Sequence, residues 1–138
     1  MRYLGIDYGT KRVGVAVSDE AGRLAFPYAI LENSRGLVGE VKVICAKEGI
    51  TDVVVGESMN YKGQPNIVME QINTFVAQLR EVIDTPVVYE REFLSTQQAR
   101  FFQTDSQHVD DYAAAIILQS HLDKKNTKSM NEVDINIE

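Results

Sequence analysis

The chain has 138 residues, of which 44% are hydrophobic, enough for one domain with a substantial core and too few for two ordinary domains. Its formal charge of −6 argues against a nucleic-acid binder, because affinity for phosphates comes largely from Lys and Arg. A single cysteine excludes an internal disulfide, and without a signal peptide or a bilayer-length apolar run we expect a cytosolic protein.

The beginning of the chain predicts three consecutive β-strands. Apolar residues favour strands at residues 2–8 and 12–18, and a turn at 19–22 leads to a third strand over 24–31. Pro27 lies in the third strand and favours an edge position or a bulge there, because proline donates no ladder hydrogen bond. We therefore predict an antiparallel meander.

Helices and strands then alternate. Residues 36–48 have the period of an amphipathic helix that ends at Gly49, and the apolar run 51–56 is typical of a parallel strand covered on both faces. A long helix with Pro65 as its first residue and a strand over 87–92 are predicted next.

Two more helices complete the pattern, one from Ser95 and one over residues 109–122 whose small residues 113–115 can pack closely. Residues 124–138 are polar, and we expect a mobile tail there. The pattern predicts an α/β domain over residues 1–123, with a mixed five-stranded sheet and helices on both faces.

Acidic residues stand at the ends of three distant elements: Asp7 in the first strand, Glu90 or Glu92 in the last strand, and Asp110 with Asp111 at the start of the last helix. Strand ends on one side of a sheet converge, so these acids are candidates for a single Mg²⁺ site with oxygen ligands. Two such ions can stabilise the attacking and leaving oxygens of a phosphodiester. They would also reverse the local negative field, which weakens the objection raised by the net charge.

Each acid also has an interpretation without function. Asp7 precedes a Gly-Thr turn, and aspartates beside glycine commonly accept hydrogen bonds from such turns. Asp110 and Asp111 are acids in the first turn of a helix, where a negative charge is stabilised by the positive end of the helix dipole without any function. Their side chains point about 100° apart, so only one of them is expected to face a site. The two glutamates suit a solvated strand end.

Four motifs, taken in order, resemble the Holliday-junction-resolvase-like, pre-16S rRNA nuclease (YqgF) family. They are GIDYGTKRVGVAVSD at 5–19, VVVGESMN at 53–60, EFLST at 92–96 and DDYAAAIILQSHLD at 110–123. The resemblance implies a ribonuclease H-like fold, a nuclease dependent on Mg²⁺ or Mn²⁺, and maturation of the 5′ end of 16S rRNA in bacteria.

The resemblance also implies the catalytic and metal-binding acids. The first falls on Asp7, and the last on Asp110, because Asp111 is one place out of step with the Asp-x-x-Ala-Ala register. Counting back from the Ser-Thr pair selects Glu92 as the middle acid, whereas Glu90 preserves a local Glu-Arg pair. We prefer Glu92.

The chain departs from the family pattern at two places, and the first follows from the choice of Glu92. Phe93 stands where an Arg is expected, and Glu57-Ser58 replaces an apolar residue and Pro. We interpret His108 and His121 as capping and surface residues, because they lack metal-ligand spacing. Four cations are predicted to contact substrate phosphates: Lys11, Arg12, Lys62 and Arg91.

Three classes of function follow from these residues. The first is a nuclease on structured RNA, with branched DNA as the alternative substrate and a monomer or homodimer as the working unit. The second is nucleotide binding, because the Asp-Tyr-Gly-Thr turn resembles the first phosphate loop of actin-like ATPases; the chain lacks their second phosphate loop. The third is a non-catalytic nucleic-acid-binding or ribosome-assembly module.

Overall fold

The computed structural model describes residues 1–58, 67–91 and 109–136. In the last of these ranges it describes the side chains of residues 112–127 and only the backbone of the others. Its elements, in chain order, are β1 (Tyr3–Tyr8), β2 (Arg12–Ser18), β3 (Ala25–Glu32), α1 (Leu37–Glu48), β4 (Asp52–Glu57), α2 (Val68–Val82), β5 (Val87–Arg91) and α3 (Val109–Asn136). The described strands form one five-stranded sheet in the order β3-β2-β1-β4-β5. The pairs β1-β2 and β2-β3 are antiparallel, whereas β1-β4 and β4-β5 are parallel.

The predicted meander is confirmed, including the role of Pro27. In the β2-β3 ladder Val15 pairs with Ala29 but Ala16 pairs with Pro27, so Tyr28 is the extra residue of a bulge. Strand β3 lies at the sheet edge, where the missing proline N–H costs no ladder hydrogen bond. Both expectations for Pro27 therefore hold.

One face of the sheet packs against α1 and α2 through large aliphatic and aromatic side chains. Leu4 and Ile6 of β1 are fully buried in this core, together with Ile72 and Leu79 of α2. Helix α1 ends at Gly49, whose φ of 63° places it in the left-handed region that favours glycine. The predicted start of the second helix at Pro65 lies outside the described residues.

The other face packs against α3 through small residues. A Cβ added at Gly5 would lie 2.7 Å from the Leu118 Cβ and 3.0 Å from the carbonyl oxygen of Ala114. The helix therefore rests directly on the β1 backbone. This close contact confirms the prediction that the small residues of the last helix form a tightly packing surface.

Helix α3 is longer than the sequence predicted. Its expected end near Leu122 is wrong, because the helix continues to Asn136. The Lys125 ammonium lies 5.0 Å from the centre of the Tyr3 ring, and the Asn126 amide donates a 3.3 Å hydrogen bond to the Gly22 carbonyl. These contacts with β1 and the β2-β3 turn support the helix beyond Leu122, where the sequence predicted its end.

The helix predicted from Ser95 lies outside the described residues, and the division into a 1–123 domain and a 124–138 tail stays a prediction. Within the described ranges, none of the helices combines the length and apolar character needed to cross a membrane.

Candidate functional site

The carboxyl ends of the parallel strands β1, β4 and β5 meet at one edge of the sheet, and Asp7 lies there. Asp7 pairs with Gly14 of β2, and side-chain alternation places it on the same face as Gly5, which is the α3 face. The residue is half-buried and lines an open cavity of about 260 Å³ together with Lys11 and Arg12. The first predicted acid is thus accessible to a ligand.

The turn after Asp7 is held in place by its backbone. A Cβ at Gly9 would collide with the carbonyl oxygen of Arg12, so this turn requires glycine. Asn33 donates from its side chain to the Gly9 carbonyl at 2.8 Å and from its backbone to the Lys11 carbonyl at 3.0 Å. Asn33 was missed by sequence reasoning, because no local pattern connects it to this turn.

The start of α3 lies at the same level as Asp7. The helix runs antiparallel to β1, since Ala114 contacts Gly5 and later turns contact Tyr3. Asp7 follows Gly5 by about 7 Å along the strand. Asp110 precedes Ala114 by one turn, about 6 Å in the same direction. The backbone therefore brings these two predicted acids to one edge of the sheet on one face.

Glu90, the alternative middle acid, lies level with Asp7 two strands away, because Ile6 pairs with Val55 and the next residue, Gly56, pairs with Glu90. Its side chain is buried, accepts a 2.7 Å hydrogen bond from the Lys124 ammonium and lies 3.5 Å from His121 Nδ1. Glu90 thus joins β5 to the middle of α3. His121 is partly buried in this contact, so its interpretation as a surface residue is wrong. Glu92 lies outside the described residues.

Exposed cations surround the Asp7 edge. Lys11 and Arg12 follow Asp7 in the turn, and Arg91 ends β5, the second strand from β1 in the sheet. Arg35, which sequence reasoning missed, precedes α1. In the ranges that the structure describes, none of these four side chains forms an ion pair, so their charges are available to attract phosphates. Lys62, also predicted to contact substrate, lies outside these ranges.

The family model described as "RuvX: Holliday junction resolvase" matches residues 1–124. The chain belongs to the RuvX family. It is 39% identical over 137 residues to a protein of Geobacillus kaustophilus, with 91% of this chain and 99% of the relative covered. It is 36% identical over 132 residues to one of Oleidesulfovibrio alaskensis, covering 88% and 92%. Both carry the name "Putative pre-16S rRNA nuclease".

Solved structures confirm the predicted ribonuclease H-like fold of this RuvX-family chain. Thermus thermophilus RuvC, solved in complex with a Holliday junction substrate, is similar with a TM-score of 0.59 and 16% identity, covering 91% of this chain and 95% of RuvC. The fowlpox virus resolvase, in complex with Holliday junction DNA, has a TM-score of 0.51 and 15% identity, covering 94% and 99%. The resemblance identified from the sequence is therefore confirmed, and the chain belongs to a family of nucleases, which hydrolyse phosphodiester bonds.

The donor chemistry of the RuvX-family site fits a divalent cation, although the described side chains alone do not complete one. Asp7 offers carboxylate oxygens, the ligand type that Mg²⁺ prefers. Among the described side chains, no three of His, Cys, Asp or Glu lie together as a metal site. Glu92 and the side chain of Asp110 are outside that set. The ligand set Asp7, Glu92 and Asp110 stays a prediction.

Proposed function

We propose that this chain is a Mg²⁺-dependent nuclease that processes the 5′ end of pre-16S rRNA. The observation that carries this proposal is the position of Asp7: it is half-buried, opens into a cavity and lies level with the start of α3. Relatives that span nearly the same length bear the pre-16S rRNA nuclease name. The family thus favours nuclease chemistry, and the geometry favours this edge of the sheet as its site.

Asp7, Glu92 and Asp110 would hold the cation, with Mn²⁺ able to replace Mg²⁺. When bound, the metal supplies Lewis acidity and an activated water for phosphodiester hydrolysis. The carboxylates alone would repel RNA, so binding depends on cations beside them. Lys11, Arg12, Lys62 and Arg91 would hold the phosphates on both sides of the scissile bond.

The rigid turn after Asp7 orients the phosphate-binding residues. Asn33 fixes the carbonyls of Gly9 and Lys11, and the close approach at Gly9 leaves the turn little freedom. Lys11 and Arg12 are therefore held next to Asp7 before substrate arrives. Such preorganisation lowers the entropy lost when the phosphate is positioned for attack.

The direct experiment measures cleavage of a precursor 16S rRNA by the purified chain with Mg²⁺, with EDTA, and in the variant Asp7→Asn. Loss of one metal ligand is expected to remove several kcal/mol of transition-state stabilisation, or at least about 100-fold in rate. The matched control is Asp19→Asn, which makes the same change in the β2-β3 turn at the other end of the sheet. Cleavage that survives both EDTA and Asp7→Asn would overturn the proposal.

Branched DNA is the second candidate substrate, because the family model is described as a Holliday junction resolvase. Rates on a four-way DNA junction and on precursor rRNA, measured with one preparation, separate the two. Binding of rRNA without cleavage of either substrate would support the assembly-module hypothesis, and thermal stabilisation by ATP would support nucleotide binding. Light scattering of the same sample distinguishes the predicted monomer from the predicted homodimer.

A further inference from the structure

A second cavity, of about 390 Å³, lies at the same end of the sheet as Asp7 but on the opposite face. It is bounded by Tyr8 of β1, by the segment that leads into α1, and by α2. Its volume falls in the range of about 300–1,000 Å³ typical of small-ligand pockets. The site proposed for catalysis does not use this cavity.

The floor of the cavity is aromatic. Tyr8 and Phe75 lie with their ring centroids 5.3 Å apart and their planes tilted by 39°. Phe75 is 4% exposed and belongs to the core, whereas Tyr8 is half-buried and keeps part of its surface open to the cavity. The floor is therefore both rigid and able to contact a flat ligand.

The walls of the cavity combine polar side chains with Leu37 and Val38, and none of the described lining residues is acidic. Gln71, Thr74, Phe75 and Gln78 have the spacing of one stripe along α2, and Arg35 lines the opposite wall. Among described residues, the Gln71 and Gln78 amides have no hydrogen-bond partner, although both line the cavity. The cavity thus offers amide donors, amide acceptors and one guanidinium beside an aromatic surface.

We propose that this cavity binds one unpaired purine base of the substrate strand, an inference that rests on the proposed nuclease function. Proteins recognise unpaired RNA bases by stacking them on aromatic rings and by hydrogen-bonding to their edges. A glutamine amide matches the donor and acceptor pair that adenine presents, and an arginine matches the acceptors of guanine. The described lining residues include no acid that would repel the neighbouring phosphate.

The position of the cavity suits a strand that also reaches Asp7. Asp7 and Tyr8 are consecutive in β1 and point to opposite faces of the sheet. Asn33 lines the cavity and donates to Gly9 in the turn that carries Lys11. An RNA strand that crosses this edge would place a phosphate at Asp7 and a base of a neighbouring nucleotide beside Tyr8.

The test measures binding rather than cleavage, so that the two proposals fail separately. The Asp7→Asn chain is titrated with single-stranded RNA containing 2-aminopurine, and its fluorescence is followed while adenine-only or uracil-only oligonucleotides compete. We expect the adenine competitor to bind about tenfold more tightly than the uracil competitor, the discrimination typical of one good amide-base pair.

The decisive variant adds Gln71→Leu and Gln78→Leu, which keep side-chain size and remove the amides. Both residues are exposed, and a thermal melt checks that the fold is retained. We expect the purine preference to disappear. Arg35→Gln is expected to weaken binding of both competitors, whereas the matched control Arg23→Gln, at the other end of the sheet, leaves it unchanged.

Equal affinity for the two competitors, or a purine preference that survives both leucine substitutions, would overturn the inference. Precursor cleavage without purine preference would leave the nuclease function standing and refute the base pocket. A purine preference in a chain that cleaves no RNA would leave the pocket standing and refute the nuclease function.

Discussion

The polar side chains at the two ends of the sheet differ in whether they bind other parts of the fold. At the amino end of β1, Arg2 donates from Nε to the Ser18 carbonyl and from Nη1 to the Glu48 carbonyl, each at 3.0 Å. Gln119 of α3 binds the β2-β3 turn through the Arg23 carbonyl and the Ala25 N–H, both at 2.9 Å. Charged and polar side chains at this end join elements of the fold.

At the carboxyl end, by contrast, Lys11, Arg12, Arg35 and Arg91 are exposed and form no ion pair with other described residues. Cations without an ion pair among the described residues are available for a ligand. The proposed nuclease function requires local positive charge rather than a positive total, and this end supplies it in a chain of net charge −6. The amino end fixes the structure on which this surface is presented.

The largest effect on stability is expected where α3 contacts β1, midway between the two ends of the sheet. Gly5→Ala would push a methyl group into Leu118 and the α3 backbone, and overpacking of this kind costs about 1–3 kcal/mol. Because the shift of α3 also moves Asp110 relative to Asp7, nuclease activity should fall with stability. Chemical denaturation and cleavage rates measure the two effects.

The matched control is Gly39→Ala in α1, where an added Cβ meets nothing within 4 Å. That change is expected to stabilise the chain by up to about 1 kcal/mol, because alanine is the better helix former. Equal stability of the two variants would contradict the close packing of α3.

The second prediction compares two double variants, each of which removes two positive charges from one end of the sheet. Lys11→Gln with Arg12→Gln should weaken RNA binding by at least about tenfold, and the slope of log affinity against log salt should become shallower by about 2. The control, Arg23→Gln with Lys47→Gln, removes the same charge near the amino end. If both pairs weaken binding equally, total charge rather than the Asp7 edge controls affinity.

Much of the fold could be predicted because its signals are local. Apolar residues identified β1 and β2 as strands, the apolar run identified β4 as a strand with two covered faces, and Gly49 marked the end of α1. Asp7 stood out because a carboxylate within an apolar strand needs a partner or a ligand. Each of these inferences required only a short window of sequence.

The features that sequence reasoning missed depend on contacts between distant residues. Glu90 meets Lys124 and His121 only after β5 packs against α3. Asn33 reaches the Gly9 turn across the sheet edge. Polar side chains with distant partners carry no periodic signal, so their roles emerge only from the three-dimensional structure.

The third prediction concerns Arg2 at the amino end. Arg2→Ala removes the two charge-assisted hydrogen bonds to carbonyls, and we expect a loss of about 2 kcal/mol in the free energy of unfolding. The 3.5 Å ion pair with Glu48 adds little, since it is partly exposed. Cleavage per folded molecule should be unchanged. An unchanged free energy of unfolding, or slower cleavage by fully folded Arg2→Ala, would contradict the assignment of a structural role to the amino end and a functional role to the carboxyl end.

The smallest effect belongs to Asp19, in the β2-β3 turn of the amino end. Hydrogen bonds from the backbone N–H groups of Arg23 and Leu24, at 2.8 and 3.2 Å, lower the pKa of this exposed carboxylate. The stability it contributes is fully present above the pKa of the unfolded chain, near 3.8, and is lost as the pH falls through the lower folded value. Thermal melts at pH 7 and pH 3 should therefore show a smaller acid-induced loss in Asp19→Asn than in the unaltered chain. Asp84→Asn, an exposed aspartate after α2, controls for the general removal of a negative charge. If the two variants respond alike to acid, the turn gains nothing from ionised Asp19, and the amino end is held by Arg2 and Gln119 without it.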